Sequence, residues 1–581
     1  MQNIALEHKI AVLKFSGSLL SKMEEIPQAV HEVYQYLRLG YRVLAIVSSI
    51  DNSAKYPGLD SFETEGFIPP APEFAELLAT GETAAACLFT MGLDRAGIKA
   101  KKLNHQCLIT KNSLLNADPE SFTKDLVSSL FERYSVLVLP GAIGYDQTKK
   151  TSLLGQKGAD YTAIYAAWSL RADKCVIYKE VCDTELKRYE SLCYSDLLKL
   201  PSPIIHHKAI KFAEAHNVCF SIKSLTNVYK TVVGSAPSTF FSQNETIIPL
   251  KVALLGLGTI GFGVYKHLLA NQHLFTITGI AVLDLKKHQR DQLPPTLISD
   301  NSAEILGRKC DVVIELTGDP VHSEAIIRQA LSQGCHAITA NRALIAEKGI
   351  ELCEFATQNQ VRLLYSASIG GAIPIIETLQ NINNVKTITG VLSSTCNFIL
   401  DKVTEGQTLN HTLSLTKILG LSESEPTLDL YGINASQKAT ILCRAAFGRN
   451  PDSIDVTGIQ CLDETKIREA YAACKNIRLV VNCTFENNII KANVEPVAID
   501  INHCLAHVTG TQNAVVIETQ DNITMELHGT GVGRWPVAES VFSDLLELSN
   551  QLNRNQSYIN RTGHNYLVES EIKNKSLEEV V

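Results

Sequence analysis

No apolar run in this 581-residue chain reaches the roughly 20 residues that a membrane-spanning helix needs. There is no Cys-x-x-Cys pair and no Cys/His cluster, so neither a zinc site nor a disulfide framework is indicated. The fifteen cysteines, scattered singly from Cys87 to Cys504, read instead as free thiols of a reducing compartment. A basic excess is missing too. With 53 Lys and Arg against 61 Asp and Glu, the formal charge is -8, which gives no reason to expect nucleic-acid or membrane-surface binding. The N-terminus, MQNIALEHKIAVLKFSG, lacks the basic stretch and long apolar core of a signal peptide. A soluble, cytoplasmic protein is expected.

What is present is an ordinary globular composition, 45% apolar and 20% charged, on a chain too long for one core. Two segments begin with an apolar strand running into a glycine turn: IAVLKFSG from Ile10 to Gly17, and KVALLGLGTIG from Lys251 to Gly261. The turn-rich stretch GSAPSTFFSQNET, Gly234 to Thr246, reads as a linker between them. In each half, short β-branched runs such as YRVLAIVSS and CDVVIELTG alternate with helical patterns, which predicts parallel sheets and an α/β fold. From Gln551 onward the chain is rich in Asn, Ser, Glu and Lys, and a frayed tail is expected there.

Gly256, Gly258 and Gly261 form a Gly-x-Gly-x-x-Gly turn between the strand KVALL and a helix, with Thr259 and Ile260 opening that helix. The first glycine permits the tight turn, the second lets a pyrophosphate approach the backbone, and the third lets helix pack on strand. Unpaired N–H groups and the dipole at the helix start favour the phosphates. The next strand, TGIAVLD, is expected to end at Asp284, where an acid bonds a ribose 2′-hydroxyl and suits NAD. Lys286 and Lys287 follow at once and suit the 2′-phosphate of NADP, so both cofactors stay open.

From Lys251 to about Leu548, six blocks in one order resemble homoserine dehydrogenase: CDVVIELTGD, GCHAITANRALIAEKG, LLYSASIGGAIPIIETL, GVLSSTCNFIL, SESEPTLDLYGINASQKATIL and HGTGVGRWPVAESVFSDLLEL. The resemblance implies NAD(P)H-dependent interconversion of aspartate semialdehyde and homoserine, a small amino-acid substrate and a homo-oligomer. It implies Lys438 as proton donor, and Glu423, Asp429 and Thr395 as lining of the substrate pocket, Glu423 gripping the ammonium. It puts Thr317 and Arg342 beside the cofactor, and a monovalent cation on the carbonyls of Ile369 and Gly371. Four positions depart from the family pattern: Arg342 replaces a lysine, Ser366 a glutamate, Ser393-Ser394-Thr395 an Asn-Gly-Thr or Ser-Gly-Thr segment, and Asn434 the catalytic aspartate. Asn434 and Lys438, four apart on a helical pattern, are expected to face each other, so that Asn434→Asp would raise activity.

Residues 10 to 234 resemble the catalytic domain of aspartokinase, in the amino-acid kinase fold, through LKFSGS, LATGETAAA, TSLLGQKGADYTAIYAA and IIHHKAI. Lys14 and Gly17 match the phosphate-binding start, and Glu82 and Asp160 match substrate-pocket acids. The family's LGRGGSD loop is Leu154-Gly-Gln-Lys-Gly-Ala-Asp160 here, and its Tyr-Thr-Asp-Val-Asp-Gly segment is Tyr178-Lys-Glu-Val-Cys-Asp183. The paired regulatory modules that usually follow the kinase are missing. ATP use and aspartokinase activity are therefore not expected. The fold expected is an amino-acid-kinase-like αβα domain over 1–235, a Rossmann domain over 248–385 completed by 535–550, and an α+β substrate and dimerisation domain over 386–534. Two rival readings are a pseudoenzyme that binds nucleotide and amino acid as a regulator or scaffold, and a working bifunctional kinase–dehydrogenase.

Overall fold

The computed structural model describes residues 9–20, 26–49, 71–179, 189–200, 204–225, 230–240, 248–291, 293–418 and 427–562. In the N-terminal half a nine-stranded sheet surrounds β1 (Ile10–Phe15), which pairs in parallel with β2 (Arg42–Val47) and with β3 (Lys174–Tyr178). All three strands are buried almost throughout, the pattern of a sheet covered on both faces. Helices α1 (Ile26–Arg38) and α2 (Ala71–Arg95) bury Val30, Val33, Tyr34, Ala85, Ala86 and Phe89 against one face. Helix α3 (Gly158–Ser169) packs on the other. The Gly234–Thr246 stretch is less of a linker than expected. Thr239–Phe240 forms a strand pairing antiparallel with Tyr189–Cys193, and 241–247 lie outside the described residues.

The middle of the chain builds a parallel sheet from β4 (Leu250–Leu255), β5 (Phe275–Ala281), β6 (Ile298–Ser299), β7 (Val312–Glu315), β8 (His336–Thr339) and β9 (Leu363–Leu364), in the order β6-β5-β4-β7-β8-β9. This doubly wound order reverses direction beside β4, where ligands bind outside the strand C-termini. Helix α4 (Thr259–Ala270) follows β4 directly, and α5 (Arg342–Gln358) follows β8. Strand β5 stops at Ala281, not at Asp284: Asp284 is exposed and accepts the Lys286 N–H at 2.9 Å, which turns the chain into a 3-10 helix.

A six-stranded mixed sheet follows, with β10 (Val385–Val391) antiparallel to both Lys475–Glu486 and Gln512–Thr519. Helices α6 (Ser394–Thr404) and α7 (Ile433–Phe447) cover it. The last helix, α8 (Arg534–Thr562), returns to the parallel sheet, where Val537, Val541, Phe542 and Leu545 join the core of Val252, Leu254, Ile280 and Ile314. A tail was expected from Gln551; the helix runs on to Thr562, and its apolar face packs on the sheet as far as Leu552. Among the described residues, no helix is long and apolar enough to cross a membrane, and the cysteines are free thiols.

Candidate active site

The glycine turn has the geometry its spacing predicted. Gly256 has φ +99°, and a Cβ there would lie 2.4 Å from the Leu316 carbonyl oxygen. A Cβ on Gly261 would lie 2.0 Å from Gly256 O, so helix and turn touch only because neither carries a side chain. At Gly258 a Cβ would meet nothing within 4 Å. That open position faces the start of α4, where backbone N–H groups lack intrahelical partners. The residues present therefore fit a dinucleotide pyrophosphate.

Beside the turn, the ends of β7 and β8 are joined by a carboxylate that the sequence reading missed. Glu315 is fully buried and accepts from Thr317 N (2.7 Å), Thr317 Oγ1 (2.7 Å) and Thr339 Oγ1 (2.7 Å). Thr339 in turn accepts the Asn341 N–H, and Asn341 donates to Ser323 Oγ while capping α5 through Leu344 N. This network fixes Thr317 and the first turn of α5, where Arg342 stands. An acid ending a buried strand was the available signal.

Arg342 leans away from α5 onto α7. Its Nη2 donates to Asn434 Oδ1 at 2.7 Å and its Nε to Gln437 Oε1 at 3.1 Å. Asn434 Nδ2 donates to Asp429 Oδ1 at 2.8 Å. The expected Asn434–Lys438 pairing gives way to this chain. Lys438 Nζ donates to the Leu392 carbonyl at 2.6 Å, since the i,i+4 spacing sets which face a side chain is on and not what it reaches for. Leu392 precedes Ser393, whose Oγ caps α6 through Cys396 N, so the lysine is held beside the first turn that carries Thr395. Asp429 closes the ring, its carbonyl accepting from Cys396 Sγ. Thr395, Asp429, Asn434 and Lys438 are each 5–7% exposed, which makes this a desolvated polar cluster between the two sheets. Glu423 lies outside the described residues.

Ser366, Ile369 and Gly371 sit on a tight turn that precedes the helix Ile375–Asn381 and packs against α8. The Ser366 N–H donates to Asp544 Oδ2 at 3.1 Å, and a Cβ on Gly371 would come within 2.3 Å of Pro536. Ser368 Oγ is buried in this turn without a hydrogen-bond partner.

The aspartokinase-like residues converge differently. Lys14 Nζ lies 3.1 Å from Asp160 Oδ1, and Asp160 is fully buried. Lys179 Nζ takes the other oxygen at 2.6 Å and also donates to the Ile204 carbonyl. Burial pulls Asp160 upward, but the two ammonium groups prevail and hold it at about 2. Burial pushes Lys179 down to about 8 and Glu82, on α2, up to about 8. Gly17 begins a buried 3-10 turn after β1. Lys157, at a position where the family has glycine, is held at φ +60°. A left-handed lysine costs about 1 kcal/mol, strain that glycine would avoid. Lys179 was legible only as a departure from a family threonine.

The comparisons with known proteins follow the same division. The homoserine dehydrogenase family model matches residues 373–546, the homoserine dehydrogenase NAD-binding domain model 256–366, and the amino acid kinase family model 9–222. The homoserine dehydrogenase of Synechocystis sp. is 32% identical over 316 residues, covering 52% of this chain and 73% of that protein. The Corynebacterium glutamicum homoserine dehydrogenase is 32% identical over 314 residues, 51% of this chain and 71% of that one. This chain belongs to the homoserine dehydrogenase family. A homoserine dehydrogenase structure from Thiobacillus denitrificans superposes with a TM-score of 0.51 at 29% identity, over 54% of this chain and 76% of that one. Within the homoserine dehydrogenase portion, the NAD-binding match spans the glycine turn and Arg342, and the other match spans Asp429, Asn434 and Lys438.

Proposed function

We propose that the chain is an NAD(P)H-dependent homoserine dehydrogenase interconverting aspartate semialdehyde and homoserine, with an N-terminal half that does not phosphorylate aspartate. The observation that carries the reading is the buried cluster of Lys438, Asp429 and Asn434, joined by the half-buried Arg342 and set between the glycine turn's sheet and the second sheet. When bound, the nicotinamide supplies the hydride. Lys438, anchored on the Leu392 carbonyl beside Thr395, gives a proton to the oxygen on which negative charge develops. Asp429 and Glu423 bind the substrate ammonium, and Arg342 orients the carboxylate or the cofactor. Asp284 with Lys286 and Lys287, all exposed at the end of β5, leaves NAD and NADP both compatible. A monovalent cation on the carbonyls of Ile369 and Gly371 fits the unpartnered Ser368 Oγ of that turn. The reading of the other half as inactive rests on Gln156, Lys157 and Lys179, which stand where the aspartokinase pattern has arginine, glycine and threonine.

The test is oxidation of NADPH or NADH by the purified protein with aspartate semialdehyde. Turnover is expected, and Lys438→Met should reduce it at least about a hundredfold with cofactor binding intact. Cofactor binding without turnover in the wild type would favour a pseudoenzyme.

A further inference from the structure

The N-terminal half is docked on the dehydrogenase through α1, and two side chains of α1 reach opposite ends of one turn. Arg38, 5% exposed, donates through Nη1 and Nη2 to Asp544 Oδ1 at 2.9 Å and through Nη2 to Glu547 Oε2 at 2.8 Å. It also pairs with Glu377 Oε1 at 3.0 Å. The other oxygen of Asp544 accepts the Ser366 N–H. One turn of α1 earlier, Tyr34 Oη lies 3.3 Å from Ser540 Oγ, which accepts the Ala372 N–H at 3.1 Å. Asp544 and Ser540 are one turn apart on α8, so two relays run from α1 through α8 to the first and last amides of turn 366–372.

That turn is strained and connected. Ala372 has φ +53°, in the region that disfavours any side chain, and it belongs to the N-terminal half's own apolar cluster with Phe15, Leu19 and Val33. Strain of this kind persists only where surrounding contacts over-determine it. The contacts here come from both sides: the apolar neighbours from the N-terminal half, and Ser540 of α8, itself 3.3 Å from Tyr34 Oη. On its far side the turn meets the substrate region: Gly371 N donates to Gly531 O, and a Cβ on Gly370 would lie 3.4 Å from Asn513 Nδ2. Ser394 Oγ, in the first turn of α6 next to Thr395, donates to Thr511 O and lies 3.4 Å from Asn513 Oδ1.

We propose that Tyr34 and Arg38 are positioning residues for the dehydrogenase: from the kinase-like half they hold turn 366–372, and through Asn513 the start of α6, in the form the substrate side of the site requires. The retained N-terminal half thus acts as a built-in brace, and phosphotransfer is not needed to explain it. For its kinetic readout alone, this rests on the homoserine dehydrogenase reading.

The test uses full-length Tyr34→Phe, Arg38→Met and Arg38→Lys. Hydrogen exchange of a peptide covering 366–372 should rise about tenfold in Tyr34→Phe and in Arg38→Met, and return toward wild type in Arg38→Lys. Exchange in α4 and the Kd for NADPH should stay unchanged. In the same variants KM for aspartate semialdehyde should rise about five- to tenfold with kcat little affected. Unchanged exchange at 366–372 in a folded Tyr34→Phe, or an equal rise throughout the chain, would overturn the proposal. Should Arg38→Met fail to fold, Tyr34→Phe decides alone. A wild type without turnover sinks the dehydrogenase reading, while the exchange result still decides the brace.

Discussion

Arg342 Nη2 and Asn434 Oδ1 lie 2.7 Å apart, and both residues are departures from the family pattern. The amide at 434 accepts from Arg342 and at the same time donates to Asp429. A carboxylate could only accept, so Asn434→Asp would turn the 2.8 Å contact with Asp429 into a meeting of like charges. The sequence suggested that this substitution restores activity. The geometry reverses the sign: kcat/KM should fall about tenfold. The double variant Arg342→Lys with Asn434→Asp should recover part of the loss, giving a favourable coupling of about 1–2 kcal/mol in a double-mutant cycle. A gain in Asn434→Asp alone would contradict this arrangement.

The three glycines of the turn should fail in different ways. A Cβ on Gly258 meets no protein atom within 4 Å, so Gly258→Val should fold with a little-changed Tm and lose NADPH and NADH binding. Gly261→Val would drive a side chain into Gly256 O, so it should lower Tm as well. Thermal unfolding and fluorescence titration separate the two. Normal cofactor binding by Gly258→Val would remove the pyrophosphate from this turn.

The Lys14–Asp160–Lys179 group predicts an acid-sensitive N-terminal half. Asp160 stands at about 2, below its unfolded value of about 3.9. The unfolded chain takes up that proton first, so the contribution is complete above about pH 4 and disappears as pH falls toward 2. At roughly two pH units it amounts to about 2–3 kcal/mol. Lys179, pushed by burial down to about 8, acts in the other range: stability should rise as pH climbs from about 8 toward 10. Urea unfolding followed at Trp168, on the same helix as Asp160, reads both. Asp160→Asn should flatten the acid-side slope and cost about 3 kcal/mol at neutral pH, because the buried Lys14 and the half-buried Lys179 lose their counter-charge. An unaltered slope in Asp160→Asn would assign it to another carboxylate.

Local order along the chain decides what was legible before the structure. Strand, glycine turn and helix follow one another within Lys251 to Ala270, so Gly256, Gly258 and Gly261 could be assigned from spacing alone. Lys438 and Asp429 could be found by motif order, but their partners could not. A helical repeat places Asn434 and Lys438 on one face, and only packing sends one to Arg342 and the other to Leu392 O. Glu315 carried a weak signal as a lone acid closing an apolar strand. The contact of Arg38 with Asp544 carried none, because it joins residues 506 apart through two helices whose apolar faces were each already accounted for by a sheet.

That long-range contact makes the two halves one folding problem. In α8, Glu539 is 2% exposed and bonded to His31 of α1, with His267 at 3.5 Å. Burial alone would raise its carboxyl, yet the facing His31 holds it below the usual range. Ile98 of the N-terminal half bridges Gly529, and Thr530 N donates to Gly97 O at 2.9 Å. A fragment beginning at Ile248 would leave Glu377, Asp544 and Glu547 without Arg38, Glu539 without His31, and Ala372 without its apolar neighbours. Without the N-terminal half those charges lose their partners and the apolar surface around Ala372 is uncovered, and both losses draw on a stability of only roughly 5–15 kcal/mol for a typical domain. Residues 248–562 expressed alone should therefore be insoluble, or melt at least about 10 °C below the full chain. Adding separately expressed residues 1–247 should restore part of the difference. Full-length stability in the isolated fragment would mean that the kinase-like half is carried and not used.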